Sequence, residues 1–496
     1  MSATPVRGSS GFKFSTFELG RFDVSGITCP GTISYCWNVN AEPQIRADRA
    51  GNFYASSEFL PRTANCSNGL DLVNPQCGGT GAWRSSDGGL HYTTLAPPNA
   101  LSFTSNTLSP YGGDTDLATA PQKNVNGFYN VYVSSLERAS GPLLTVAVST
   151  SQDQGKTWLI NPTAAQIPFN DRPWIAADGT GKVCLAYHNI ATTFDILVSC
   201  SFDGGVTFSQ VASAIDASHA CNAEFNNQIG NIAIDPNSHA IYQAFAGINC
   251  TTSDISCDEF ADCTHVAYVA VSLDGGLTFT DHVVYDNPIP SSNPINPHGS
   301  LDHQFVNISI DTAGNLYVVF SDNHNVFYSF STNSGKTWSP TIQVNHAPSN
   351  TAIMPWSSAG SPGRLDIVWY GTSYFDGKNV PDNYPMSASW YVYFAQNLNS
   401  LSTSSSFTQA PATHVIHYGG VCEGGVSCTG NRDLFDDFGV AASPTTGLAS
   451  IVYTDDQYVN SPTEPASPTC TPSETNLGPC DHTDIATQTS GTGIFG

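Results

Sequence analysis

Carboxylates and arginines recur at matching places in a 496-residue chain in which only 11% of the residues are charged. Asp171 and Arg172 precede one apolar strand pattern, and Asp436 and Asp437 precede another. Carboxyl groups that lie close together shift one another's pKa values apart, which suits the acid and the base of one reaction. Hydrolysis of a glycosidic bond needs such a pair, about 5–5.5 Å apart for retention or about 6.5–9.5 Å apart for inversion.

The elements that must position these residues follow one repeated pattern. Seven segments share a polar start, a short apolar strand, a turn rich in Asp, Pro and Gly, and a second strand; they begin near residues 41, 114, 171, 226, 303, 352 and 436. This repetition predicts an all-β chain, a seven-bladed β-propeller with four-stranded blades, as a single domain over residues 1–496. Residues 1–40 are predicted to close the ring. A pair of β-sandwiches is the alternative, but it gives no reason for seven copies.

A second repeat, eight residues long, follows the first five segments. Its copies are "SSDGGLHY" (85–92), "SQDQGKTW" (151–158), "SFDGGVTF" (201–208), "SLDGGLTF" (272–279) and "STNSGKTW" (331–338). Glycine permits a positive φ, and an Asp carboxylate can accept backbone N–H bonds within its own turn. The octets are therefore predicted to be hairpin turns in which the Asp is structural.

The octets resemble the Asp-box (BNR) repeats of sialidase-like β-propellers, and the resemblance covers about residues 41–490. It implies Asp-box hairpins at the outer edges of the blades, away from the ligand site. It also implies an enzyme acting on glycans, with an arginine triad that clamps the substrate carboxylate and a Tyr nucleophile. The chain departs from that family in having Glu42 before Pro43, where the first triad arginine is expected, and in having seven blades rather than six. These departures weigh against sialic acid as the substrate.

The candidate site consists of ionisable residues at the starts of first strands and the ends of second strands, which meet at one face of a propeller channel. The predicted catalytic residues are Asp116, Asp171, Arg172, Tyr370 and Asp436. The predicted substrate-binding residues are Glu42, His188, His303, Asp322, Arg432 and Asp437. The wider set of such positions includes Glu58 and Asp455. A glycoside hydrolase with a carboxylate pair at the channel mouth is the favoured function.

Two other functions remain open from the same residues. Asp171 and Arg172 could form an ion pair that locks two blades, as in a non-catalytic binding, structural or surface-layer protein. Alternatively, His188, His303 or Tyr370 could act as the base of a metal-dependent or metal-free polysaccharide lyase, with Arg172 neutralising a uronate.

No cofactor is required for the hydrolase, but cation sites are considered at two places. Asp114 and Asp116 fit either an Asx turn or a calcium site, because calcium takes oxygen ligands. Asp302 and His303 fit a transition-metal site, although their spacing matches no known motif.

The charge of the chain restricts its partners. With 16 basic and 41 acidic residues, the formal net charge is −25. Such a surface repels nucleic acid and anionic membranes, and no apolar run approaches the ~20 residues of a membrane span. The resemblance to sialidase-like propellers implies a glycan or polysaccharide as the partner.

Fourteen cysteines, an even number, predict disulfides and hence a secreted, extracellular protein. The chain has no CxxC pair, which argues against structural zinc held by cysteines. Sequence alone does not determine the pairing. Grouped by proximity, the candidates are Cys29 and Cys36, Cys66 and Cys77, Cys184 and Cys200, Cys221 and Cys250, Cys257 and Cys263, Cys422 and Cys428, and Cys470 and Cys480.

Overall fold

Short apolar strands and Gly-rich turns build seven antiparallel sheets, which are the blades of a β-propeller. The prediction of an all-β, seven-bladed fold is confirmed. The computed structural model describes residues 4–7, 11–19, 41–58, 80–99, 108–109, 113–139, 144–167, 169–190, 195–223, 227–250, 264–287, 300–301, 305–424, 428, 431–457 and 482–496.

The first four blades follow one another along the chain, each from its innermost strand outwards. Blade 1 contains Gln44–Ala47, Phe53–Ser57, Gly81–Ser85 and Thr93–Thr94. Blade 2 contains Thr115–Lys123, Tyr129–Ala139, Leu144–Ser151 and Leu159–Asn161, with Leu108–Ser109 added beside its second strand. Blade 3 contains Asn170–Asp178, Lys182–Asn189, Ile196–Ser201 and Gln210–Ser213. Blade 4 contains Asn227–Ile234, Ile241–Gly247, Val266–Ser272 and Thr280–Asp286.

The last three blades repeat the arrangement. Blade 5 contains Asn307–Ile310, Leu316–Ser321, Val326–Ser331 and Ile342–Gln343. Blade 6 contains Thr351–Ala359, Leu365–Thr372, Ser389–Asn397 and Thr408–Pro411, with His417–Tyr418 added beside its third strand. Blade 7 contains Gly439–Ala442, Ala449–Asp455, His482–Ser490, Lys13–Glu18 and Thr4–Arg7. Within the described residues, two 3₁₀ helices cover Ala217–Asn222 and Pro381–Asn383.

Strands from both ends of the described chain meet in blade 7. Lys13–Glu18 pairs antiparallel with His482–Ser490, with Thr16 opposite Ala486. Phe12 and Phe14 of this segment pack edge-on against Phe394 of blade 6, with ring centroids 5.0 and 5.2 Å away. Burying a Phe contributes about 1.5–3 kcal/mol, so the N-terminal strand also fastens blade 7 to blade 6.

The innermost strands surround a central channel. A cavity of about 300 Å³ on this axis is lined by residues from all seven of them, including Ala118, Ile175, Asn231, Ile308 and Val440. Four of these strands change register partway, each next to a proline or glycine. The changes lie between Thr119 and Lys123, Asp171 and Trp174, Ile229 and Ile232, and Ile353 and Trp356. Such bulges insert extra residues that re-aim side chains, and they place residues such as Arg172 at the mouth of the channel.

Each of the five octets forms the same turn between the third and fourth strands of its blade. In the copy of blade 3, Ser201 Oγ donates to Asp203 Oδ1 (2.8 Å) and accepts from Gly205 N (2.9 Å). Thr207 donates to Asp203 through its backbone N (2.9 Å) and its Oγ1 (2.7 Å). Gly205 has a φ of +85°, a conformation that other residues rarely adopt. The octet Asp side chains are therefore structural and lie away from the channel.

The octet turns also join neighbouring blades, which the sequence pattern does not indicate. Thr150 Oγ1 of blade 2 donates to Gly204 O in the octet of blade 3 (2.9 Å). Thr487 Oγ1 of blade 7 likewise donates to Gly89 O in the octet of blade 1 (2.7 Å). The repeated octet residues thus stabilise both a hairpin and a contact between neighbouring blades.

We expect Asp203→Ala to lower the free energy of unfolding by about 1–2 kcal/mol, because Ser201 and Thr207 lose their shared acceptor. Asp203→Asn should change it by less than about 0.5 kcal/mol. The reason is that Asn333 already makes the equivalent bonds, accepting from Thr337 N (3.0 Å) and donating to Thr337 Oγ1 (2.8 Å). Urea unfolding measures both changes, and equal losses in the two variants would contradict this account.

Three disulfides lie in the described part of the chain. They join Cys184 to Cys200, Cys221 to Cys250, and Cys422 to Cys428, and each agrees with a candidate pair. The other candidate cysteines, Cys29, Cys36, Cys66, Cys77, Cys257, Cys263, Cys470 and Cys480, lie outside the described residues. No helix among the described residues is both long enough and apolar enough to cross a bilayer.

Candidate functional site

The ionisable residues at the strand starts of blades 1, 2, 3 and 7 come together at one end of the channel. We call this end, where the seven inner strands begin, the strand-start face. The acidic cluster on it consists of Glu42, Glu58, Asp114, Asp171, Asp436 and Asp437. Glu42 and Asp436 are only 2% and 5% exposed, so their charges need partners within the protein.

Arg172 lies at the centre of the acidic cluster. Its guanidinium is 2.5 Å from Asp436 Oδ2, 3.5 Å from Glu42 Oε1 and 3.6 Å from Asp114 Oδ2. One arginine of blade 3 thus contacts carboxylates of blades 7, 1 and 2. Arg172 has a φ of +56°, in the left-handed region that costs a side-chain-bearing residue about 1–3 kcal/mol. Its contacts hold it in this strained conformation.

Arg432 supplies a second guanidinium to the same carboxylates. Its Nη2 lies 2.8 Å from Asp436 Oδ2 and 3.4 Å from Glu42 Oε1. Asp436 Oδ2 and Glu42 Oε1 are therefore each shared between Arg172 and Arg432. This sharing leaves both guanidiniums occupied by the chain's own carboxyl groups.

Aromatic rings pack beneath the Arg172 guanidinium. Its Cζ atom lies 4.7 Å from the ring centroid of Phe305, which precedes the first strand of blade 5, close enough for a cation–π interaction. The Phe305 ring contacts Trp174 (5.3 Å), which contacts Trp356 (5.2 Å). Trp356 also lines the channel cavity, so a series of rings leads from the acidic cluster to the apolar channel.

The environment moves the pKa values of two cluster carboxyls in opposite directions. Burial and the neighbouring Asp114 raise the pKa of Asp171 to about 7, against the opposing effect of Arg172. Burial also acts to raise the pKa of Asp436, but Arg432 and Arg172 outweigh it and hold that pKa well below its usual range. Near neutral pH, Asp171 can donate a proton while Asp436 is ionised.

Three further carboxyls of the cluster, those of Glu42, Glu58 and Asp437, favour their protonated forms. Burial, together with Glu58 and Asp114, raises the pKa of Glu42 well above its usual range. Burial and Asp114 do the same to the pKa of Glu58. Burial raises the pKa of Asp437, despite Arg172, and Asp437 Oδ1 accepts a bond from Gln44 Nε2 (3.3 Å). The acidic cluster therefore carries fewer negative charges than its six carboxyls could give.

Neither a family model nor a curated protein matches the chain. Solved structures are similar to it in fold at low identity. A PL25 ulvan lyase with a bound saccharide is 8% identical, with a TM-score of 0.46 over 93% of this chain and 96% of that one. A Dyadobacter fermentans protein of unknown function is 11% identical, with a TM-score of 0.44 over 95% and 98%. The NanB sialidase of Streptococcus pneumoniae is 10% identical, with a TM-score of 0.40 over 95% and 70%. At these values the similarity assigns no activity to this chain.

Asp116 lies apart from the acidic cluster and its carboxylate oxygens are already occupied. It is 1% exposed, with Oδ1 2.7 Å from Arg46 Nη2 and 2.7 Å from Leu117 N. Its Oδ2 accepts from Ile175 N of blade 3 (3.0 Å). These bonds tie blades 1, 2 and 3 together and give Asp116 a structural role, while its predicted catalytic and metal-ligand roles stay predictions.

Tyr370, a predicted catalytic residue, lies in the interface between blades 6 and 7. It is fully buried, stacks on Phe438 of blade 7 with 4.1 Å between ring centroids, and accepts a bond from Thr454 N (3.0 Å). Burial raises its pKa well above the ordinary range, which opposes the phenolate form that a nucleophile needs. The side chain is an interblade contact.

We expect Tyr370→Phe to lower the free energy of unfolding by about 1–3 kcal/mol, because Thr454 N loses its acceptor in a buried place. Tyr418→Phe, at an exposed position, is the control and should change stability little. Chemical unfolding gives both values. A Tyr370→Phe protein that kept wild-type stability but lost a measured activity would contradict this structural account and support the predicted catalytic role of Tyr370.

The other predicted residues are placed differently. His188 is buried and lies directly opposite Asp171 in the strand pairing of blade 3, so it belongs beside the acidic cluster. Asp322 instead accepts from His324 N (3.1 Å) and Asn325 N (2.7 Å) in a turn of blade 5, where it serves the local fold. Asp302 and His303 lie outside the described residues.

Calcium binding remains a prediction. The sequence suggested Asp114 and Asp116 as ligands, whereas the structure brings Asp114 together with Glu42 and Glu58. Glu42, Glu58 and Asp114 each offer a carboxylate oxygen, and these atoms lie within 4.8 Å of one another. Carboxylate oxygens suit calcium, but Arg172 lies 3.5 Å from Glu42 and 3.6 Å from Asp114 and would repel it.

Sequence reasoning missed two contributors to the site. Phe305, which packs against Arg172, is apolar and gives no chemical signal in the sequence. Gln44, the partner of Asp437, is the first residue of the inner strand of blade 1, so its place at a strand start could have identified it.

Proposed function

We propose that the protein is a glycoside hydrolase with its reaction centre in the acidic cluster. The main observation behind this proposal is that the pKa of Asp171 is raised and the pKa of Asp436 is lowered. Both carboxyls contact Arg172. Cleavage of a glycosidic bond needs one protonated and one ionised carboxyl at the same pH. Asp171 is the general acid in this proposal, and Asp436 is the carboxylate.

We assign Asp436 to nucleophilic attack on the anomeric carbon, with retention of configuration. A carboxylate with a strongly lowered pKa is a weak general base, so activation of a water molecule by Asp436 is unfavourable. Arg172 and Arg432 keep it ionised, while Asp171 protonates the departing glycosidic oxygen and then accepts a proton from water. An NMR spectrum of the first-formed product distinguishes retention from inversion.

The substrate that best suits this cluster is a neutral sugar. Recognition of a sialate or uronate carboxylate calls for an arginine that is free to pair with it. Arg172 and Arg432 already pair with Asp436 and Glu42. The net charge of −25 adds long-range repulsion of acidic glycans.

The test is a screen of aryl glycosides and polysaccharides of neutral sugars, followed by Asp171→Asn and Asp436→Asn. Both variants should lose the activity that the screen finds. Asp153→Asn, in the octet turn of blade 2, is the matched control and should keep it. Full activity in both cluster variants would eliminate the proposal.

A non-catalytic extracellular protein is the second candidate. It is favoured by the ion pairs of Arg172 and Arg432, which join blades 1, 2, 3 and 7 and would serve a rigid scaffold equally well. Glycan binding without turnover across the same screen would support this candidate. In either case we propose secretion, because the three disulfides suit an oxidising compartment.

A further inference from the structure

A second group of ionisable side chains lies between blades 6 and 7, and the hydrolase proposal does not use it. His417 is in the strand added to blade 6, Asp433 is in the loop before blade 7, and Asp456 follows the second strand of blade 7. Their exposed fractions are 1%, 1% and 4%. His417 Nδ1 lies 2.7 Å from Asp456 Oδ2.

The backbone orients the imidazole of His417. Its Nε2 lies 2.9 Å from Gly420 O, and a carbonyl oxygen can only accept, so Nε2 carries a hydrogen. Nδ1 faces the carboxylates and shares a hydrogen with Asp456 Oδ2; a metal ion would displace that hydrogen and take the lone pair of Nδ1. A hydrogen bond from the second ring nitrogen to a backbone carbonyl is the usual support of a histidine that binds a metal ion.

Asp433 provides an independent indication of a missing partner. Its Oδ2 is buried and has no hydrogen-bond partner, although leaving such an atom unsatisfied is costly. One atom from each of His417, Asp433 and Asp456 lies within 4.8 Å of the others. Once His417 has given up the Nδ1 hydrogen on metal binding, the two ionised carboxylates carry a charge of −2, which a divalent cation neutralises.

We propose that His417, Asp433 and Asp456 bind a divalent transition-metal ion, with zinc the best fit. Zinc accepts one imidazole nitrogen and two carboxylate oxygens, whereas calcium and magnesium prefer oxygen ligands alone. The nearby Cys422 and Cys428 are joined in a disulfide and are not available as ligands. The ion would fasten the loop that carries Arg432 and Asp436, and the site does not depend on the proposed hydrolase activity.

The experiment uses the full-length protein, freed of metal with a chelator and titrated with zinc sulfate by calorimetry. We expect one zinc ion per chain in the metal analysis and a rise in Tm on adding zinc. Asp433→Asn should weaken zinc binding about 100-fold or more and abolish the rise in Tm. Cobalt added to the wild-type protein should give visible absorption bands typical of nitrogen and oxygen ligands.

Asp281→Asn is the matched control, because Asp281 is also a buried carboxyl with an unpartnered oxygen, on blade 4 beside Asp216 and His219. It should bind zinc as the wild type does. Loss of binding in Asp281→Asn but not in Asp433→Asn would place the metal on blade 4 and overturn the proposal. Absence of stoichiometric zinc or cobalt binding to the wild type would also overturn it, and His417→Gln replaces Asp433→Asn if the latter does not fold.

Discussion

Asp171→Asn is expected to lower kcat on a neutral glycan by about 10³-fold, within the 10²–10⁴-fold range of general acid catalysis. The amide retains the shape of the side chain and can still accept the bond from Arg172 N (3.1 Å), but it has no acidic proton to give to the glycosidic oxygen. Steady-state kinetics on the best substrate of the screen measure the loss.

The leaving group provides a sharper readout of the same variant. A dinitrophenolate leaves without protonation, so Asp171→Asn should lose much less activity on a dinitrophenyl glycoside than on a natural disaccharide. Loss of folding or of substrate positioning would reduce both rates alike. Equal losses on the two substrates would therefore contradict the role of Asp171 as the acid.

The pH profile tests the same assignment in the wild-type protein. Burial raises the pKa of Asp171 to about 7, so the proton is present below that pH and is lost above it. The rate should fall on the alkaline side with an apparent pKa near this value, and that fall should be absent in Asp171→Asn. An alkaline fall that persisted in the variant would assign the titration to another group.

The fold follows from the sequence because a propeller repeats its local chemistry. Every blade needs two apolar inner strands joined by a tight turn, and the outer octets add a Gly with positive φ and a self-bonded Ser and Asp. These requirements are local, so the residues that meet them are consecutive in the sequence and can be recognised there. The interblade bonds of the octets, such as the one from Thr150 to Gly204, depend on the ring and are not visible.

The candidate site follows from the sequence only in part. Strand starts gave Glu42, Asp171, Arg172 and Asp436, because all inner strands begin at one face. The sequence did not reveal that Tyr370 points into the interface with blade 7, because neighbouring residues of a strand point to opposite sides; its catalytic role stays a prediction. The central position of Arg172 depends on a β-bulge, which single-sequence patterns do not reveal.

Arg172→Met is expected to lower the free energy of unfolding by about 3–5 kcal/mol at pH 8, the usual cost of leaving buried charges without their partner. Asp436, Glu42 and Asp114 all lose a cation within 3.6 Å. Arg364→Met is the control, since the guanidinium of Arg364 makes one long bond, to Gly493 O (3.3 Å), and should cost less than about 1 kcal/mol.

The loss in Arg172→Met should be smaller at pH 5 than at pH 8. Glu42, Glu58, Asp171 and Asp437 have folded pKa values above their unfolded values of about 4. Their contribution to stability is complete below the unfolded pKa and is lost as the pH rises through the folded pKa.

Asp436 behaves in the opposite way, because its lowered pKa stabilises the protein above about pH 4 and that contribution is lost on acidification. Without Arg172, the pKa of Asp436 rises and the cluster can take up protons at pH 5 to relieve its repulsion, but it cannot do so at pH 8. Urea unfolding of wild type and variant at both pH values measures the difference. A loss in Arg172→Met that is the same at pH 5 and pH 8 would show that its guanidinium does not neutralise the carboxylates, and that its aromatic contact with Phe305 accounts for its effect on stability.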